Sequence, residues 1–132
     1  MQIENLKEKA GNKDWTDEIA DRLLDLAAIV IRMVSKFPRY NPGLHIGNQL
    51  MRSITSSGAN YEEARGAESR ADFIHKMQIV LKELRESLYW LKLLTRIDAL
   101  KIENLAPAIS EANHMANIIA KSIVTAKKGS GR

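Results

Sequence analysis

The sequence predicts an all-α protein, a single antiparallel up-down-up-down four-helix bundle. Apolar residues recur at alternating steps of three and four along four separate stretches, which is the period of one helix face. Only 5% of the 132 residues are aromatic and only three are proline, a composition that suits helices. The links between the stretches are short, and short links make consecutive helices antiparallel neighbours.

The first helix is expected from Thr16 or Asp17 to Phe37, with Ile19, Leu23, Leu26, Val30, Met33 and Phe37 on its inner face. Asp17, Glu18 and Asp21 fall in its opening turns and Lys36 near its end, as the helix macrodipole favours. Pro38 should stop it, because proline lacks an amide donor and clashes with the preceding turn. Asn41 then reads as an N-cap with Pro42 at the first helical position. The second helix should run to Arg65 along Gly47, Leu50, Ile54, Gly58, Tyr61 and Arg65, with Gly66 as its C-cap.

Ser69 and Asp72 resemble a capping box that opens a third helix. That helix should reach Thr95 through Phe73, Met77, Val80, Leu84, Ser87, Leu91 and Leu94. The fourth is expected to start near Asn104, placing Pro107 in a first turn whose amides have no intrahelical partner. Its stripe is Leu105, Ile109, Ala112, Ala116, Ile119 and Ile123. Residues 1–14 read as a loosely held extension, 15–128 as the bundle and 129–132 as a flexible basic tail.

Composition narrows the function classes. Cysteine is absent, which removes disulfides and thiolate metal sites. The first residues lack the apolar core of a signal peptide, and no apolar run approaches the about 20 residues that span a bilayer. A cytoplasmic protein without membrane contact is expected. The net charge of +4 permits nucleic-acid binding without requiring it.

Two spacings resemble metal-binding elements of helix bundles, Glu111-x-x-His114 and Asp72-x-x-His75. Both histidines lie round the helix from their core stripes, so neither pair converges on a common interior point. His45 reads as a surface residue. No Ser/His/Asp set converges, and Gly43, Gly47, Gly58 and Gly66 are too scattered to cradle phosphate. No catalytic residue, metal, cofactor or small-molecule substrate is therefore expected.

The apolar residues exceed what one stripe per helix requires. Leu24, Ala28 and Ile31 form a row on the outer side of helix one. On helix three, Ile74, Leu81 and Leu88 flank the core stripe on one side, and Ile79, Trp90 and Ile97 flank it on the other. Tyr89 and Leu93 point further out. Helix two carries Ser53, Ser56, Ser57, Gly58 and Ala59, small residues that allow another helix to approach closely. Rows of exposed apolar residues mark partner surfaces, and the commonest partner of a short chain is itself.

Gln49, Arg52, Ser56, Asn60 and Glu63 form a polar row on helix two. The row reads either as a solvated face or as a seam at a subunit boundary, where basic residues of a neighbouring helix would meet Asn60 and Glu63. A basic rim is also expected. Arg65, Arg70 and Lys76 lie around the second link, and Lys121, Lys127, Lys128 and Arg132 near the C-terminus, so up-down topology puts both groups at one end. Such a rim could hold RNA or DNA through phosphates, with little aromatic support for reading bases.

The stretch from Gln49 to Ala64 carries Gln49-Leu50-x-Arg52, then Ser56-x-x-x-Asn60-x-x-Glu63, and the third helix opens on Phe73-Ile74. Lys36-Phe37-Pro38 closes the first helix. From Asp17 to Leu100 the chain resembles the four helix bundle protein family, also called the 23S rRNA intervening-sequence protein family. It reads Glu62-Glu63-Ala64 where that family more often has Ala-Glu-Gly. The resemblance implies a left-handed bundle assembled as a ring-shaped homopentamer. It also implies kinship with accessory proteins of diversity-generating retroelements, which bind nucleic acid and a reverse transcriptase through a basic surface.

The chain is thus expected to be a non-enzymatic homo-oligomeric interaction protein, with Leu24, Ala28, Ile31, Arg52, Ser56, Asn60, Glu63, Ile79, Tyr89 and Trp90 in self-association. The alternative is a nucleic-acid-binding accessory protein that uses the basic rim.

Overall fold

A computed structural model describes residues 14–99 and 102–130, which form four α-helices and no strand. They are α1 (Trp15–Val34), α2 (Pro42–Arg65), α3 (Arg70–Arg96) and α4 (Ile102–Ser130). Each helix packs on its neighbours in sequence, and α1 also meets α4. The α2–α3 contact is the most extensive and α1–α4 the slightest. As α2 descends from Glu63 through Ser53 to Gly43, its partners on α3 and beyond ascend from Lys76 through Ser87 to Ala99.

Three N-caps form through the residue types that favour them. Asp14, Asn41 and Ser69 accept from the amides of Thr16, Gly43 and Asp72, satisfying donors that a helix start leaves open. Pro42 follows Asn41 as the first residue of α2, and Gly66 closes that helix, both as the sequence indicates. The expected end of α1 moves. The helix stops at Val34, three residues before Phe37, and Ser35 closes it by donating its hydroxyl to the Arg32 carbonyl. The chain then turns so that Phe37 packs inward from outside the helix, over Gly47. Val34 is fully buried in place of the expected Met33, which is half-buried.

α4 begins at Ile102, two residues before the expected start, so Pro107 sits beyond the first four amides and inside the helix. At its other end α4 continues to Ser130, with Lys127 and Lys128 in its last turn. The extension 1–13 and residues 131–132 lie outside the described residues.

The core draws on all four helices. Leu23, Val30, Leu50, Ile54, Val80, Leu84, Leu91, Leu94, Leu105, Met115 and Ile119 are completely buried. Helix three buries a wider arc than one stripe because it has a neighbour on each side. Leu88 is buried, so it is not the spare apolar surface that its spacing suggests, and Leu81 and Trp90 are partly buried against the core. Ile74, Ile79 and Leu93 are likewise half-covered.

At the α2–α3 seam, the buried hydroxyls of Ser53 and Ser87 lie 2.8 Å apart, one donating to the other, and each also lies within hydrogen-bond distance of a carbonyl one turn back. Small residues are what this seam needs. A larger side chain at either position would separate the two helices.

Candidate interaction surfaces

On α1, Leu24 is 69% exposed and Ile31 43%, with Ala28 half-exposed between them. Together they form one wall of an open groove of about 850 Å³ between α1 and α2. Ala20, Leu23 and Ala27 line it from α1, and Thr55, Gly58 and Ala59 from α2. The groove exists because α2 presents small residues there. A Cβ added at Gly58 would lie 3.7 Å from the Leu23 Cβ, ordinary contact, so the two backbones approach closely at its floor. One end carries Asp17, Asp21, Glu62 and Arg65, and Arg65 pairs with both Asp17 and Glu62. The groove is therefore apolar along its length and acidic at one end.

The polar row of α2 lies along α3 of the same chain. The Arg52 guanidinium bonds to Glu86 and reaches Glu83 at 3.4 Å, while Glu63 accepts from Lys76 at 3.3 Å. Asn60 donates back to the Ser56 carbonyl and hydroxyl one turn earlier. Arg52 and Glu63 thus find their partners within the chain. The Glu86 carboxylate also accepts from the Trp90 indole at 3.0 Å; that bond, and the Arg52 guanidinium, hold its pKa below the ordinary glutamate value. Trp90 is consequently pinned to its own helix, and Tyr89 packs edge-on against it.

The expected basic rim is only partly assembled from unpaired cations. Arg65 and Lys76 are neutralised by acids of this chain. Arg70 does meet the end of α4, where a Cβ at Gly129 would fall 2.8 Å from its guanidinium, so the α2–α3 link and the last turn of α4 are adjacent. Among the described residues Arg70, Lys121 and Lys128 form no ion pair.

A second charged surface lies along the flank of α3, and sequence reasoning passed over it. Gln78, Lys82, Arg85, Tyr89, Lys92 and Arg96 recur at steps of four and three, and every one is exposed. Tyr89 is 60% exposed at the centre of this stripe. None of its four cations forms an ion pair among the described residues. The spacing is visible in the sequence beside the strong core stripe, but sequence reasoning singles out only Tyr89 on this face.

The polar spacings that suggested metal are otherwise engaged or outward. Glu111 accepts two bonds from Arg22, at 2.7 and 3.1 Å, which clamp α4 to α1. His45, His75 and His114 are exposed. No group of three or more metal-ligating side chains gathers among the described residues, and no helix is long and apolar enough to cross a membrane.

Comparison with known proteins agrees with this architecture. No protein of curated function is significantly similar to the chain. A crystal structure from Bacteroides thetaiotaomicron, of a protein with unknown function from the S23 ribosomal protein family, shares 32% identity. The similarity covers 80% of this chain and 97% of that one, with a TM-score of 0.74. The model of the 23S rRNA-intervening sequence protein family matches residues 17–121, which takes in all of α2 and α3, most of α1 and α4, and the whole α1–α2 groove. The chain belongs to the 23S rRNA-intervening sequence protein family, for which no specific biochemical role is established.

Proposed function

We propose that this chain is a non-enzymatic, cytoplasmic interaction protein that works as a homo-oligomer, a pentameric ring of up-down-up-down bundles. The observation that carries the reading is the groove between α1 and α2. Leu24, Ala28 and Ile31 form a continuous apolar wall facing solvent, and the small α2 residues opposite leave room for a partner. Exposed contiguous apolar surface is costly in a monomer and is the usual mark of a docking site. Antiparallel order is supported by the α2–α3 pairs, in which Glu63 meets Lys76 and Ser53 meets Ser87. Light scattering on the purified chain tests the assembly. The expected mass is five times that of one chain; a monomer at micromolar concentration overturns the reading.

A second reading, a nucleic-acid-binding accessory role, is favoured by the approach of Arg70 to Gly129. That approach gathers Arg70 and Lys128 at one end of the bundle, and assembly would multiply their phosphate contacts. Affinity for a mixed-sequence RNA or DNA should then be present at low salt, fall steeply as salt rises, and drop in an Arg70→Glu, Lys128→Glu double variant. No binding at low salt removes this reading.

A further inference from the structure

The groove and the α3 flank are complementary. The groove is apolar with a carboxylate-rich end; the flank is a row of four cations around one protruding aromatic ring. Their lengths also match. Asp17 to Ile31 on α1 and Lys82 to Arg96 on α3 are both 14 residues apart, about 21 Å at 1.5 Å per residue. We propose that the α3 flank of one copy docks in the α1–α2 groove of the next, with Tyr89 seated against Leu24, Ala28 and Ile31 and the two cations on one side of it facing the end that carries Asp17, Asp21 and Glu62. This rests on the self-association reading and specifies its surfaces.

Two features of the chain favour this occupant over others. The small residues Ala20, Ala28, Gly58 and Ala59 leave room beside the Leu24 and Ile31 side chains, and no aromatic residue lines the groove among the described residues, so it accepts a ring and does not supply one. Tyr89 is a large side chain exposed at the centre of a cationic row, and two cations flank it on either side. Because the groove and the flank are different surfaces, the contact is heterologous. A heterologous contact leaves one surface open on each end copy, so it propagates until it closes as a ring or extends as a filament. A face that paired with itself would stop at two.

That distinction sets the experiment. Leu24→Asp spoils only the groove and Tyr89→Ala only the flank; both side chains are exposed, so circular dichroism and thermal unfolding should match the parent fold. Each variant alone should have the mass of one chain by light scattering. An equimolar mixture should form a one-to-one heterodimer, because it retains one intact groove and one intact flank. If Tyr89→Ala should misfold, a Lys82→Glu, Arg85→Glu, Lys92→Glu, Arg96→Glu variant takes its place with the same expected pattern.

A mixture that stays monomeric overturns the proposal, as does a single variant that keeps the parent mass. In the latter case the parent still oligomerises, so self-association stands while these surfaces are wrong. A parent that is itself monomeric overturns both. Unchanged mass together with lost binding to a mixed-sequence RNA assigns the α3 flank to nucleic acid and overturns the proposal.

Discussion

Gly47 and Gly58 both lie in α2, eleven residues apart, yet they answer to different neighbours. A Cβ at Gly47 would lie 2.8 Å from a Val34 methyl and 3.2 Å from the Phe37 ring, both buried. At Gly58 the nearest atom among the described residues is the Leu23 Cβ, at 3.7 Å. Glycine in a helix interior costs about 0.5–1 kcal/mol relative to alanine. Gly58→Ala should therefore stabilise the chain by that amount. At Gly47 the clash with a branched, immobile side chain outweighs the same gain, since overpacking costs about 1–3 kcal/mol. Gly47→Ala should be net destabilising, and urea unfolding of the two variants reads both signs. Glu86 supplies a pH-dependent counterpart. Trp90 and Arg52 favour its carboxylate in the folded chain, so the stability it contributes is fully present above the ordinary glutamate pKa. It is lost as pH falls through the lower folded value. In a Trp15→Phe background, Trp90 fluorescence should titrate below the ordinary glutamate range, and Glu86→Gln should abolish that transition.

At the scale of the helix, legibility depended on whether the signal was local. Asn41-Pro42, Gly66 and Ser69 state their roles within three residues, because a cap is a contact between a side chain and an amide one turn away. Asn41→Ala and Ser69→Ala should each cost about 1 kcal/mol in thermal unfolding, with the far-UV spectrum retained. Where a boundary depended on tertiary packing, the sequence misled. Phe37 continues the apolar period of α1, but Gly47 on the facing helix provides a recess that the ring fills only by leaving the helix. Similarly, the period of α3 separated a core stripe from its flanks. It did not reveal that Leu88 would be buried, or that Leu81 and Trp90 would be partly covered by the core. The polar row of α2 was legible as a row, but its partners Glu83, Glu86 and Lys76 were not, since they lie 13 to 34 residues away.

For the molecule as a whole, the surplus of apolar surface is smaller than its sequence suggests, and it is concentrated. With Leu88 buried and Trp90 half-covered, what remains is chiefly the α1 wall at Leu24 and Ile31, Tyr89 on α3 with Ile97 just past its end, and the scattered Ile29, Tyr40 and Val124. Concentration matters because a partner that covers one contiguous groove stabilises only the folded chain; the unfolded chain has no groove to offer. Linkage then makes stability depend on protein concentration, as for any ligand that binds the native state alone. The melting temperature should rise with chain concentration across a hundredfold range from sub-micromolar upward. Leu24→Asp should remove the dependence while leaving the low-concentration value within about a degree or two of the parent, since a substitution at an exposed site away from caps and core shifts stability by roughly 0.5 kcal/mol or less. A parent whose melting temperature is constant over that range would mean the groove is unoccupied by any copy of this chain. Equal dependence in parent and Leu24→Asp would mean that assembly proceeds through another face. The measurement therefore separates the existence of the assembly from its location, which a mass determination on the parent alone does not.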